Sequence, residues 1–284
     1  MKKGELVNRV GGAALIFAAL GLSACGLEED GPASRALTLY SPAPPTIMLH
    51  DHNLELGEAL TKCGIENLVV AMALPESVNN AGALKAEDKP YHLPIMTTLD
   101  FLPAINRSGP VWHSYDKAND DLKFVSSLYD VAFGVLAFDD DIATSADLIG
   151  KRIGAPPRPS AVRLYTEALL RDGWGILDKV EIVDILPPDL PSAIRQGRID
   201  ATTWNLLSET AAGFRPMAPA LLAEGAQWIV VDEAVADRIN EANGFKVELS
   251  EVDLKALAHR TERQDTEAVS LLSFRQALAA WDST

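Results

Sequence analysis

The consecutive residues Arg158-Pro159-Ser160 have the types that bind an anion. They stand at the start of a predicted helix, where unpaired backbone N–H groups and the positive end of the helix dipole meet the Arg158 guanidinium. A carboxylate is the ligand that such a set of donors favours. The alternative is that Ser160 only caps the helix and Arg158 is solvated.

Other polar and aromatic side chains also stand where predicted strands end. Trp204 and Asn205 follow a strand and offer a ring face and an amide, although core packing is the alternative for Trp204. Five further residues stand at strand ends or helix starts, and each is of a type that is also common as a helix cap or a turn residue. Their recurrence at successive strand ends nevertheless predicts a shared ligand site. These candidates are Ser41, Ser77, Asn79, Thr97 and Thr98.

No pattern in the sequence indicates catalysis, and there is no G-x-S-x-G motif, phosphate-binding loop or dinucleotide-binding glycine motif. His50-Asp51-His52 would place two imidazoles on one face of a strand, but a third metal ligand is missing and a solvated loop is the alternative. Asp139-Asp140-Asp141 lacks the spacing and the glycine of a calcium loop. We therefore predict that this run is an acidic turn. We therefore predict no catalytic residue, no metal and no cofactor.

Length and composition indicate a packed globular protein of about two domains. The chain has 284 residues, 48% of them hydrophobic and 23% charged. Its 25 basic and 40 acidic residues give a net charge of -15, which excludes the basic surface that a nucleic-acid binder needs. Two cysteines are too few for a disulfide scaffold or for a zinc site built on thiolates.

The N-terminus has the pattern of a secretory signal peptide. Three basic residues among the first nine precede an apolar stretch at residues 10–22. This stretch is shorter than the about 20 residues that span a bilayer. The pattern predicts a signal peptide at residues 1–24, a polar tether at residues 25–36 and a mature protein outside the cytoplasm.

The end of this leader, Leu22-Ser23-Ala24-Cys25, resembles a bacterial lipobox, whose cysteine carries lipid after cleavage. The resemblance implies a periplasmic protein that is lipid-anchored through Cys25 to the bacterial cell membrane or the outer membrane. An ordinary signal peptide cleaved near a cysteine is the alternative. If Cys25 is acylated, Cys63 has no partner and is expected to be a buried thiol.

From residue 37 onward, short β-rich runs alternate with amphipathic stretches, which is the pattern of an α/β fold. Ligands of open α/β sheets bind at the carboxyl ends of the strands, where the candidates above stand. Strands are predicted at residues 37–40, 67–73, 93–97, 123–129, 131–138, 152–155, 180–185, 201–204 and 227–231. Helices are predicted at residues 54–62, 160–172, 189–196, 233–242, 251–260 and 266–281.

Two segments resemble type 2 periplasmic solute-binding proteins. Residues 144–154 (TSADLIGKRIG) are similar to their S-x-x-D-L-x-G-K-x-I/V signature, and residues 193–201 (AIRQGRIDA) to their A-x-x-x-G-x-I/V-D-A segment. Residues 77–80 (SVNN), 124–129 (FVSSLY) and 231–245 look like the TAXI-type receptors of TRAP transporters. Tripartite tricarboxylate transporter receptors are the next closest group.

The resemblance implies an α/β fold of two lobes with a ligand cleft between them. It assigns residues 37–130 to the first part of lobe 1, residues 131–205 to lobe 2, and residues 206–284 to a C-terminal segment whose helices return to lobe 1. The crossing segments are expected near residues 129–138 and 201–207.

The function that the resemblance implies is that of an extracytoplasmic receptor. Such a receptor captures a small organic carboxylate or an amino acid and delivers it to the membrane permease subunits of a TRAP-type transporter. The alternatives are a periplasmic ligand sensor and an enzyme on the same fold, such as a chorismate-dehydratase-like lyase. Residues 41–45 (SPAPP) replace the glycine-rich loop of TAXI receptors and leave the identity of the solute open.

Overall fold

The computed structural model describes residues 36–42, 48–110, 113–207, 226–243, 247–253 and 268–282. None of the helices in these ranges is long and apolar enough to cross a membrane. The strands are β1 (Leu37–Ser41), β2 (Asn67–Ala71), β3 (His92–Thr97), β4 (Leu122–Ala137), β5 (Arg152–Ala155), β6 (Glu181–Asp184), β7 (Ala201–Leu207), β8 (Gln227–Ile229), β9 (Glu248–Asp253) and β10 (Ala268–Trp281). The helices are α1 (Met48–Lys62), α2 (Leu74–Gly82), α3 (Thr98–Asn106), α4 (Ala161–Ala168), which a π-helical turn at Leu169–Gly173 continues, α5 (Leu190–Arg195) and α6 (Glu233–Asn243).

The strands hydrogen-bond in the order β2-β1-β3-β10-β4-β7-β5-β6, with β8 on β4 and β9 on β10. Strand β1 pairs in parallel with β2 and β3, and β5 pairs in parallel with β6 and β7. The long strands β4 and β10 are antiparallel to each other and lie between these two parallel units. We call β1–β3 with α1–α3 the first lobe, and β5–β7 with α4 and α5 the second lobe.

Each lobe has an apolar core, because alternate residues of its strands and one face of its helices point inward. In the first lobe Tyr40, Val78 and Met96 belong to one buried cluster. A larger cluster includes Ile153 and Leu169 of the second lobe. It also contains Leu99 from α3, Phe133 from β4 and Phe274 from β10. The lobes therefore contact each other through apolar side chains next to the long strands.

The strands and helices predicted from local patterns in both lobes are present, with shifted ends. Two predictions around the long strands are wrong. Residues 123–129 and 131–138 were expected to be separate strands, but β4 runs continuously from Leu122 to Ala137. A helix was expected at residues 266–281, but this segment is β10, which pairs with β3, β4 and β9.

The reason for the second error lies in the sequence of β10. Its C-terminal half is rich in alanine and leucine, which favour a helix when only local sequence is considered. Hydrogen bonding along both edges overrides that preference. The expected C-terminal helix on lobe 1 is thus a central strand of the sheet. The helix predicted at residues 251–260 begins instead in strand β9, and its remainder, residues 254–260, lies outside the described residues.

Candidate functional site

Polar side chains stand at the carboxyl ends of β1 and β3, at Ser41 and Thr97, and three residues beyond the end of β5, at Arg158. The buried polar group that connects the lobes centres on Asp100, in the first turn of α3. Thr97 Oγ1 donates to Asp100 Oδ2 over 2.6 Å, and the Tyr165 hydroxyl donates to the same oxygen over 2.8 Å. His113 Nε2 lies 2.8 Å from Asp100 Oδ1 and donates to it when it carries the proton. One carboxylate thus receives donors from both lobes.

Burial makes this network electrostatically strong. Asp100 and His113 are 0% exposed, and Tyr165 is 4% exposed. Burial, and secondly the negative charge of Asp100, hold the pKa of Tyr165 well above its usual value. The same two causes raise the pKa of Tyr115. Both phenols therefore stay protonated and can donate at any pH at which the protein works.

The Tyr165 ring is packed against both long strands. Its centroid lies 4.7 Å from that of Phe274 on β10 and 5.9 Å from that of Phe133 on β4. A small apolar cavity beside it is lined by Leu99, Phe133, Tyr165, Ala168, Ile239, Val247, Leu272 and Phe274. The ring is therefore held against the two long strands while its hydroxyl reaches the first lobe.

A second polar group lies where β1 ends and α1 packs against it. Asn53 Nδ2 donates to Ser41 Oγ over 2.8 Å, and both side chains are buried. Asn53 Oδ1 and His50 Nδ1 are buried and have no hydrogen-bond partner among the described residues. His50 lies in α1, so the predicted strand or solvated loop at His50-Asp51-His52 is wrong. Among the described residues, this group therefore has two buried polar atoms that no neighbouring side chain or backbone group satisfies.

Arg158, the predicted anion anchor, forms an ion pair with another side chain of the protein. Arg158 Nη2 and Nε donate to Glu167 Oε1 over 2.7 and 3.1 Å, and Arg163 Nε donates to the same oxygen over 2.7 Å. Arg163 also pairs with Asp184 at 2.6 Å. Glu167 is buried, whereas half of the Arg158 side chain is exposed. Ser160 precedes α4, but its side chain makes no capping hydrogen bond.

The residues predicted on β7 point to opposite faces of the sheet, since side chains alternate along a strand. Trp204 packs against a separate buried cluster that contains Leu136 of β4 and Trp228 of β8, which is the core-packing alternative. Asn205 shares a face with Thr203, whose hydroxyl lies 2.8 Å from that of Thr166 on α4. Asn205 Oδ1 is buried and finds no hydrogen-bond partner within the described ranges.

The other predicted contacts do not all meet at one place. Thr97 belongs to the Asp100 network, whereas Ser77 donates to Leu74 O over 2.9 Å within α2. Asn79 Oδ1 accepts from the Asp116 N–H over 2.9 Å. The side chain of Thr98 lies outside the described part of the structure.

Sequence reasoning did not select Asp100, His113, Tyr115, Tyr165 or Asn53 as site residues. The spacing of Thr97 and Asp100, three residues apart at a helix start, is a helix-capping pattern and was the available signal. Tyr165 gives no such signal, because its partners are more than 60 residues away in the chain. Its role depends on how the two lobes pack.

No cluster of three or more histidine, cysteine, aspartate or glutamate side chains suited to a metal occurs in the described ranges. Asp139 forms the expected turn after β4, where its carboxylate accepts from the Asp141 N–H over 3.1 Å. Lys151 pairs with Asp139 at 2.8 Å. The acidic run is therefore a turn tied to the second lobe.

Cys63 differs from the expectation of a buried, unpaired thiol. It is half-buried, just after the end of α1, and it is disulfide-bonded. The predicted lipid-bearing residue Cys25, the signal peptide and the greater part of the tether lie outside the described residues.

The chain matches the family described as NMT1/THI5 like over residues 111–214. No curated protein matches it. MatC from Rhodopseudomonas palustris, solved with bound malate, shares 14% identity with a TM-score of 0.54, over 89% of this chain and 80% of MatC. A structure described as a periplasmic transporter shares 15% identity with a TM-score of 0.50, over 89% of this chain and 78% of that one. The predicted two-lobed α/β fold of periplasmic binding proteins is confirmed.

Proposed function

We propose that the protein is an extracytoplasmic receptor that captures a small organic carboxylate or an amino acid between its lobes and delivers it to a TRAP-type transporter. The observation that carries the proposal is the polar junction of the two lobes, where Asp100 of one lobe meets Tyr165 of the other. The long strands β4 and β10 join the lobes and pack against the Tyr165 ring at this junction. A fold of two hinged lobes closes on a small molecule.

The polar groups of the junction suit recognition better than chemistry. Asp100 is fully buried, and both of its carboxylate oxygens accept hydrogen bonds from neighbouring side chains. Ser41, Asn53 and Asn205 are neutral hydrogen-bonding groups. Such groups supply the directional contacts by which a receptor orients a solute.

Mass spectrometry of the protein purified under native conditions tests this function. We expect one small molecule per chain, with the same mass after prolonged incubation, because a receptor returns its ligand unchanged. Conversion of the bound molecule into a product would show an enzyme instead. The receptor function would be refuted if the purified protein carried no solute and if no carboxylate or amino acid raised its melting temperature.

For the ligand class, we propose that Arg158 and the start of α4 at Ser160 bind the solute carboxylate. The net charge of -15 repels anions at long range, so an anionic ligand needs a local cation. The Arg158 side chain is half exposed and stands just beyond the carboxyl end of β5. Malate, the ligand in the MatC structure, is a suitable first probe.

Arg158→Ala is expected to weaken binding of the carboxylate about ten- to hundredfold in calorimetry, the effect of one charge-assisted hydrogen bond. Arg171→Ala is the matched control. Arg171 is 48% exposed, against 50% for Arg158, and likewise pairs with a carboxylate, that of Asp172, but beyond the opposite end of α4. Equal affinities of the two variants would contradict the anchor.

Delivery to a TRAP-type permease is supported by the segments similar to TAXI receptors. Reconstitution in vesicles with the permease subunits of a TRAP-type transporter tests it. We expect solute uptake only when the receptor and the permease are both present. Uptake driven by ATP would assign the receptor to a different class of transporter.

For location, we propose a periplasmic protein anchored by lipid on Cys25. The run Leu22-Ser23-Ala24-Cys25 behind a basic and apolar leader supports this anchor. Cys25→Ser is expected to move the protein into the soluble periplasmic fraction. Unchanged membrane association would contradict the anchor.

A further inference from the structure

The contact between Asp100 and Tyr165 joins parts of the chain that belong to different lobes. Asp100 lies in α3, directly after β3 of the first lobe. Tyr165 lies in α4, between β5 and β6 of the second lobe. Separation of the lobes would move α4 away from α3 and break this contact.

The remaining partners of Asp100 lie on the first-lobe side. Thr97 precedes α3, and His113 follows it. When the lobes separate, Asp100 keeps these two donors and loses only the Tyr165 hydroxyl. The carboxylate thus stays partly satisfied in either arrangement, so the bond can break and re-form while Asp100 remains in place.

We propose that the hydrogen bond from the Tyr165 hydroxyl to Asp100 holds the two lobes together in the absence of ligand and so sets the balance between their closed and open arrangements. Tyr165 is therefore a positioning residue, because it acts through Asp100 on the balance between the closed and the open arrangement of the lobes. The proposal rests on the two-lobed fold and not on the identity or the class of a solute.

The hydrogen bond from Tyr165 to Asp100 is strong because it is buried and its acceptor is charged. A hydrogen bond to a charged group contributes more than one between neutral groups, and a buried one is not weakened by competing water. Loss of the hydroxyl is expected to shift the balance toward the open arrangement by about ten- to hundredfold. The ring is held separately by Phe133 and Phe274, so Tyr165→Phe removes the bond and leaves the packing.

Small-angle X-ray scattering of the ligand-free mature protein tests the proposal. Tyr165→Phe is expected to increase the radius of gyration. Thr166→Val is the matched control, because the neighbouring Thr166 hydroxyl is also buried. Its hydrogen-bond partners among the described residues, Val162 O and Thr203 Oγ1, both lie within the second lobe. The control is expected to lower the melting temperature without changing the radius of gyration, which separates lobe opening from simple loss of stability.

A double substitution provides a second measurement. Asp100→Asn replaces the carboxylate by a neutral amide oxygen, which is a weaker acceptor, so Tyr165→Phe should open the lobes less in this variant than in the wild-type protein. An unchanged radius of gyration in Tyr165→Phe would overturn the proposal. So would equal expansion in Thr166→Val, or fully additive effects in the double variant. Because no ligand is used, these outcomes are independent of the solute-binding proposal.

Discussion

Asp100→Ala is expected to lower the free energy of unfolding by about 3–5 kcal/mol, the usual loss when one member of a buried charged network is removed. The substitution removes the acceptor of the His113 imidazole and of the Thr97 and Tyr165 hydroxyls. These two hydroxyls lie 2.8 Å apart, so only one of them can then donate to the other. All three groups are buried, so water cannot easily replace the carboxylate. Urea denaturation followed by circular dichroism measures the change.

Asp130→Ala serves as the control for this prediction. The Asp130 carboxylate pairs with Arg275 at 2.9 Å, but about half of each side chain is exposed to solvent. Exposed ion pairs contribute only about 0–1 kcal/mol. If Asp100→Ala lowers stability no more than Asp130→Ala does, the Asp100 network does not stabilise the interior.

The sequence predicted the parts of the fold whose signals are local. The parallel strands β1, β3 and β5 are short apolar runs, and helices such as α6 have amphipathic spacing, so their positions follow from neighbouring residues. Strand β10 could not be recognised in this way. Its alanine-rich half adopts a strand because β3 and β4 offer two edges that are far away in the chain.

The residues of the candidate site likewise divide into those with a local sequence signal and those without one. Thr97, Ser41 and Arg158 were recognisable because they stand at strand ends or helix starts, which are local features. The partner of Arg158 was recognisable in part, since Arg163 and Glu167 have the i,i+4 spacing of a helical ion pair. That Glu167 also accepts from Arg158 depends on how the segment before α4 folds back. The contact of Tyr165 with Asp100 has no local signal, since 65 residues separate the two.

Because of the charges around Arg158, we expect a substitution of Glu167 to lower the stability of the fold and to tighten the binding of an anionic ligand. Arg158 and Arg163 are balanced by Glu167 and Asp184, so this group of four side chains is close to neutral. Glu167 is 6% exposed and receives three hydrogen bonds from the two guanidinium groups. It stabilises the fold, but it also partly neutralises the cation that we propose as the anion anchor.

Glu167→Gln keeps the volume of the side chain and removes its charge. We expect it to lower the free energy of unfolding by about 1–3 kcal/mol, because two guanidinium groups lose a charged acceptor in a buried place. We also expect it to tighten the binding of the carboxylate by about tenfold, since one positive charge near the start of α4 is no longer balanced. Calorimetry with malate and urea denaturation measure the two effects separately.

The double variant Arg158→Ala with Glu167→Gln decides whether the tighter binding acts through Arg158. If the released guanidinium binds the ligand, the double variant should bind no better than Arg158→Ala alone. If it binds as tightly as Glu167→Gln, the effect comes from the general field and Arg163 is the better candidate for the anchor. Loss of stability without any change in affinity would show that the ion pair between Arg158 and Glu167 serves only to hold α4 in place.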